Sequence, residues 1–182
     1  MSLRGSMRPF QRLRGDRRAV SAVEFALVLP ILLVVVLVGY QLSEAVSAYR
    51  KTTRTARTVA DLTTQYTTMS SGDVATVLNA SAQVMAPFDT TALSIVLTEF
   101  SVPAAGPATV TWSRALNGTA LATGATVVLP AGICLPGASI VLASVTYRFT
   151  PAIGYKVTGP FVMASALYMS PRSVASISYT GS

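Results

Sequence analysis

The sequence predicts an α+β chain: a long N-terminal transmembrane helix extending into a stalk, then a short helix and a small, mainly antiparallel β-sheet domain. Three observations predict it. Residues 25–40 (FALVLPILLVVVLVGY) carry no charge, residues 41–71 continue without proline or glycine, and beyond Pro87 the texture turns to short β-type runs divided by proline and glycine. The 182-residue length accommodates one domain of ordinary size plus an anchor.

The span is expected over residues 19–40, which as a helix cover about 33 Å and so match a hydrocarbon core of about 30 Å. Residues 1–18 form a basic tail, and residues 41–70 a helical stalk rich in Thr and Ala, with the helix reaching Met69. Within the stalk, Arg57 and Asp61 stand at i, i+4, a favourable pairing. Ser70, Ser71 and Gly72 break the helix, and Ser71 or Asp73 caps a second one that Pro87 ends. Five β-type runs follow in the 71–182 domain, at 93–102, 108–116, 139–149, 161–169 and 174–179, and the loop LNGTALATGA between them is suited to closing a hairpin.

Charge is distributed unevenly. The formal net charge is +7, yet residues 58–182 balance to zero, so the whole excess flanks the apolar run. A membrane-surface role accounts for this better than a nucleic-acid groove, since no basic face with interleaved aromatics occurs elsewhere. Arg14, Arg17 and Arg18 stand close before the span, with Arg4, Arg8 and Arg12 behind them, whereas Arg50, Lys51, Arg54 and Arg57 begin ten residues beyond it. That asymmetry orients the N-terminus to the cytoplasm and the C-terminal domain outside.

Catalytic chemistry is poorly represented. The chain has no histidine and one cysteine, Cys134, which reads as a small buried apolar residue and cannot form an internal disulfide. After position 58 the acidic residues Asp61, Asp73, Asp89 and Glu99 are scattered singly. No nucleophile elbow, phosphate loop or dinucleotide fingerprint is present. We therefore expect no enzyme activity, no cofactor, no metal site and no small-molecule substrate. Asn117-Gly118-Thr119 fits a formal glycosylation acceptor but reads better as a turn.

Glu24 stands apart, because it lies about one turn inside the apolar span, where a carboxylate costs on the order of 2.5 to 3.5 kcal/mol near the bilayer centre and less toward the surface. Two readings are open: the side chain snorkels toward Arg17, Arg18 and the head groups, or it makes an ion pair or recognition contact within the membrane. Pro30, six residues on, is expected to kink or partly melt the helix.

At residues 16–33 (DRRAVSAVEFALVLPILL) the sequence resembles the TadE-like family, small pseudopilins of bacterial tight-adherence (Tad, or Flp) pilus systems. The resemblance rests on a basic tail, a small residue, four residues, Glu-Phe and an apolar span with an early Leu-Pro, here Ala19, Glu24, Phe25, Leu29 and Pro30; Tyr147-x-Phe149-x-Pro151 and Pro171-Arg172 resemble patterns near the family's C-terminus. It implies a pilin-like fold and cutting by a prepilin peptidase between Ala19 and Val20, although the family commonly has Gly where this chain has Ala19. The freed amine of Val20 would neutralise Glu24 of a neighbouring subunit. Implied partners are other pseudopilins, membrane proteins of the Tad secretion apparatus, the peptidase and membrane lipid. The implied location is the bacterial inner membrane, with the C-terminal domain periplasmic or extracellular. The alternative is an exported periplasmic binding or structural protein whose signal peptide is cut after Ala48, with Val46 and Ala48 filling the small-residue positions.

Overall fold

The computed structural model describes residues 17–104, 107–130, 132–133, 136–153 and 159–181. The basic tail with Arg14, and also Cys134, lie outside the described residues. The chain divides into two units, residues 1–43 and 44–182, and one helix, α1 (Arg17–Thr63), supplies the described part of the first and enters the second.

In the second unit α1 buries Ala48, Thr52, Thr55, Ala56, Val59, Ala60 and Thr63, a face spaced by threes and fours. Small side chains make that face a close-packing seam. Two of the buried threonines satisfy their hydroxyls within the helix, Thr52 Oγ1 donating to Ala48 O at 2.9 Å and Thr55 Oγ1 to Lys51 O at 2.9 Å, whereas the buried Thr63 Oγ1 has no hydrogen-bond partner among the described residues.

The helix ends at Thr63, not at Met69 as the pattern suggests. Tertiary pairing takes over the backbone there. Thr64 O accepts from Arg172 N, and Thr68–Met69 (β1) pairs in parallel with Ser178–Tyr179 (β7), so these residues serve a ladder and leave the helix.

Ser70 caps the second helix, α2 (Ser71–Ala82), one residue before the expected cap, and Asp73 occupies the third helical position. The two form a capping box: Asp73 N donates to Ser70 Oγ at 3.2 Å and Ser70 N to Asp73 Oδ2 at 2.9 Å. A 3₁₀ turn, Gln83–Met85, follows before Pro87.

The main sheet has the order β4-β3-β2-β5-β6, from β2 (Leu93–Ser101), β3 (Ala108–Leu116), β4 (Thr126–Val127), β5 (Ser139–Phe149) and β6 (Phe161–Met169). Every pairing in it is antiparallel. The run at 174–179 is not its fifth strand. Only Ser178–Tyr179 is extended, and it belongs to the separate two-stranded ladder, while β4 fills the expected place.

The alternation of β2 and β5 directs Leu93, Ile95, Leu97, Val141, Ala143, Val145 and Tyr147 to one face, where they join the buried residues of α1 and α2 in the principal core. A smaller cluster of Phe100, Val102, Ala108, Val110, Leu129 and Ile140 forms on the opposite face of the sheet. The loop after β3 does close the β3–β4 hairpin. Its first residue, Asn117, adopts a positive φ of 50° with Nδ2 donating to Leu93 O, and a Cβ on Gly118 would sit 2.3 Å from Ser94 Oγ.

Candidate functional site

The first unit offers a site of one kind, an apolar helix surface. From Val20 to Tyr40 every side chain is exposed, and an 18-residue window of this helix reaches a mean hydropathy of 2.8 with none of it buried. The helix is long and apolar enough to cross a membrane. Exposure of this kind disfavours the helix in water and suits it to lipid or to other helices.

Glu24 is exposed amid that surface. The helical period sets Val20 and Ser21 one turn before it and Leu27 and Val28 one turn after it. Among the described residues no cation is set against it, the salt bridge found there being Arg172 to Asp61. Phe25, 60% exposed, is the large aromatic beside it. Arg17, Arg18 and Ala19 stand on the first turn of α1, and their side chains lie outside the described residues. The helix runs through Pro30 unbroken, so the ring removes one donor, that to Ala26 O, without melting the segment.

Residues 19–61 match the family model described as TadE-like protein. The chain carries a TadE-like segment. It lies wholly within α1, contains Ala19, Val20, Glu24 and Phe25, and associates the chain with Tad pilus systems. No curated protein and no solved structure matches the chain.

The β-rich domain lies outside the TadE-like match, and its polar residues serve the fold. Tyr147 and Phe149, from the C-terminal resemblance, are buried and pack against Phe88 with ring centroids 6.1 and 6.4 Å away. Arg172 Nη2 donates to Asp61 Oδ1 at 2.6 Å. Asp61 therefore pairs across the fold with Arg172, and not with Arg57 along the helix.

Glu99 was not singled out by its surroundings in sequence, yet it is fully buried. It accepts from Trp112 Nε1 at 2.6 Å, Ser139 Oγ at 2.8 Å and Ile177 N at 2.8 Å. A lone acid in a strand gives no sequence signal for this; its even spacing from Leu93, Ile95 and Leu97, all core residues, does.

Two acids have lowered pKa values from local bonds. The Ser70 hydroxyl, then its backbone N–H, hold Asp73 below the usual carboxylate range; the Thr91 hydroxyl and N–H do the same for Asp89. Burial, then the Asp89 charge, push the Tyr147 phenol up. A cleft of about 350 Å³ is lined by Thr91, Ser94, Asn117, Thr146, Arg148 and Val162 among others. Its lining holds one cation, no carboxylate and no thiol. Among the described residues no cluster of metal-ligating side chains forms.

Proposed function

We propose that the chain is a minor pseudopilin or pilus-assembly protein of a Tad (Flp) pilus, held in the bacterial inner membrane by one span and acting in pilus biogenesis and adherence through helix-to-helix and subunit contacts. The observation that carries this reading is Glu24, a carboxylate exposed on an otherwise apolar helix inside the TadE-like segment. Such a group needs a partner in lipid, and an apolar helix surface meets its partners laterally.

In this reading a prepilin peptidase cuts between Ala19 and Val20 on the cytoplasmic side, which Arg14, Arg17 and Arg18 mark. Cutting turns the Val20 nitrogen into an ammonium. That amine lies one helical turn, about 6 Å along the axis, from Glu24 of its own chain, and two neighbouring helices offset by one turn bring amine and carboxylate of different chains level. Charge neutralisation in the membrane then sets the register, with Phe25 packing beside it. The C-terminal domain lies outside the cytoplasm and connects or caps the assembly. It works as an interaction module, with no enzyme activity or cofactor.

The signal-peptide alternative places a cut after Ala48. That residue is fully buried in mid-helix within the second unit, which speaks against a peptidase site there.

Terminal sequencing of the carbonate-washed, membrane-extracted protein tests the reading. Val20 as the first residue is expected; an intact Arg-rich tail refutes processing, and a product starting at Tyr49 in the soluble fraction supports the alternative.

A further inference from the structure

A five-stranded sheet has two edges, and this chain treats them differently. At the β3 edge, the two-residue β4 and the loop before it occupy outer backbone groups, Val110 N donating to Ala125 O at 2.9 Å and Gly124 N to Val110 O at 2.8 Å, and the loop is tied further to the strand by Leu121 N donating to the Ser113 side-chain Oγ at 3.1 Å. The other edge is β6, nine residues reading FVMASALYM. It has no charge and no proline, and its ladder with β5 has no bulge. Among the described residues nothing pairs with its outer side. Edge strands are normally blunted by lysine, proline or a bulge, because a bare row of N–H and C=O groups templates another strand. This edge has none of those devices.

We infer that β6 is a strand-addition site for a second copy of the chain, β6 against β6, antiparallel about a two-fold axis at Ser165. The sequence of the strand argues for this occupant. Around that centre Ser165 opposes itself, Ala164 opposes Ala166 and Met163 opposes Leu167, and the flanking pairs are apolar as well. No charge meets a like charge in any of these pairs. An isologous interface demands such self-complementarity. In the β5–β6 ladder the charged residue is Arg148, opposite Val162 near the strand's end, so the middle offers nothing that selects a charged foreign strand. Two chains anchored in one membrane meet at high effective concentration, so a ladder of modest area is sufficient; this point alone draws on the membrane reading.

Full-length protein with Cys134→Ser and Ser165→Cys, oxidised in native membranes and resolved on a non-reducing gel, tests the pairing. A disulfide-linked dimer is expected, with monomer from a Cys134→Ser, Thr126→Cys control on the opposite edge. Adding Ala164→Lys and Ala166→Lys sets lysine against lysine twice and should lower the dimer yield about ten-fold, whereas Ala164→Lys with Ala166→Glu should restore it. Both alanines are exposed, so these variants keep the fold, as emission from the buried Trp112 verifies. Monomer from Ser165→Cys, equal dimer from the control, a dimer indifferent to the lysine pair, or a crosslink to a different protein each overturns the inference.

Discussion

Glu99 and Trp112 face each other across the β2–β3 ladder, and the indole N–H donates to the carboxylate at 2.6 Å in a fully buried setting. The same nitrogen also donates to Ile177 O at 3.0 Å, while Ile177 N returns a bond to Glu99. One acid thereby ties the C-terminal segment to the sheet. Tyr179, just beyond, stacks on Trp112 at 5.6 Å and lies under the Arg114 guanidinium at 4.3 Å.

Replacing Glu99 with Ala leaves the buried Ile177 N without an acceptor, while Trp112 Nε1 keeps Ile177 O and Ser139 Oγ keeps Phe100 O, and should destabilise the domain by about 1 to 3 kcal/mol. Glu99→Gln should cost less, because one oxygen still accepts from Ser139 and Ile177 while the amide fails only toward Trp112. Denaturant unfolding of the detergent-solubilised chain, followed through its single tryptophan, measures both.

The packing seam of α1 predicts a steric effect. Ala56 is 1% exposed, and Ala56→Leu should cost about 1 to 3 kcal/mol through overpacking. Leu32→Ala, on the exposed part of the same helix, should leave unfolding of the domain unchanged in the same assay.

The Asp61–Arg172 bridge is short, but its side chains are 37% and 55% exposed. Arg172→Ala should therefore cost less than about 1 kcal/mol, and the difference should shrink in high salt. The backbone bond from Arg172 N to Thr64 O survives the substitution.

Two pH effects follow with opposite signs. Asp73 is depressed in the folded chain, so its contribution is present above the ordinary value of 3.8 and is lost as pH falls through the lower folded value. Tyr147 is raised, so its contribution is complete below the ordinary value of 10.0 and is lost as pH rises through the higher folded value. Asp73→Asn should flatten the acid limb of a stability profile and Tyr147→Phe the alkaline limb.

Much of this architecture is legible in residue order. The apolar run and the alternation in SIVLASVTYRF identify α1 and β5, because each pattern matches the period of one element. The end of α1 is less legible: Thr64 and Met69 leave the helix for partners at Arg172 and Thr180, more than a hundred residues away. Asp61 shows the same limit, since a neighbour at helical spacing is visible in sequence and a neighbour across the fold is not. At the candidate site, Glu24 is conspicuous because its cost depends on the apolar run around it. Glu99 is silent because its three donors come from separate segments.

The central claim is that Glu24 acts in assembly and not in folding or insertion. Counting surface pili in the native host carrying Glu24→Ala, alongside the amount of protein in the membrane fraction, tests it most directly. The expected result is a normal membrane level with pili strongly reduced or absent. Normal piliation at a normal protein level would contradict the account.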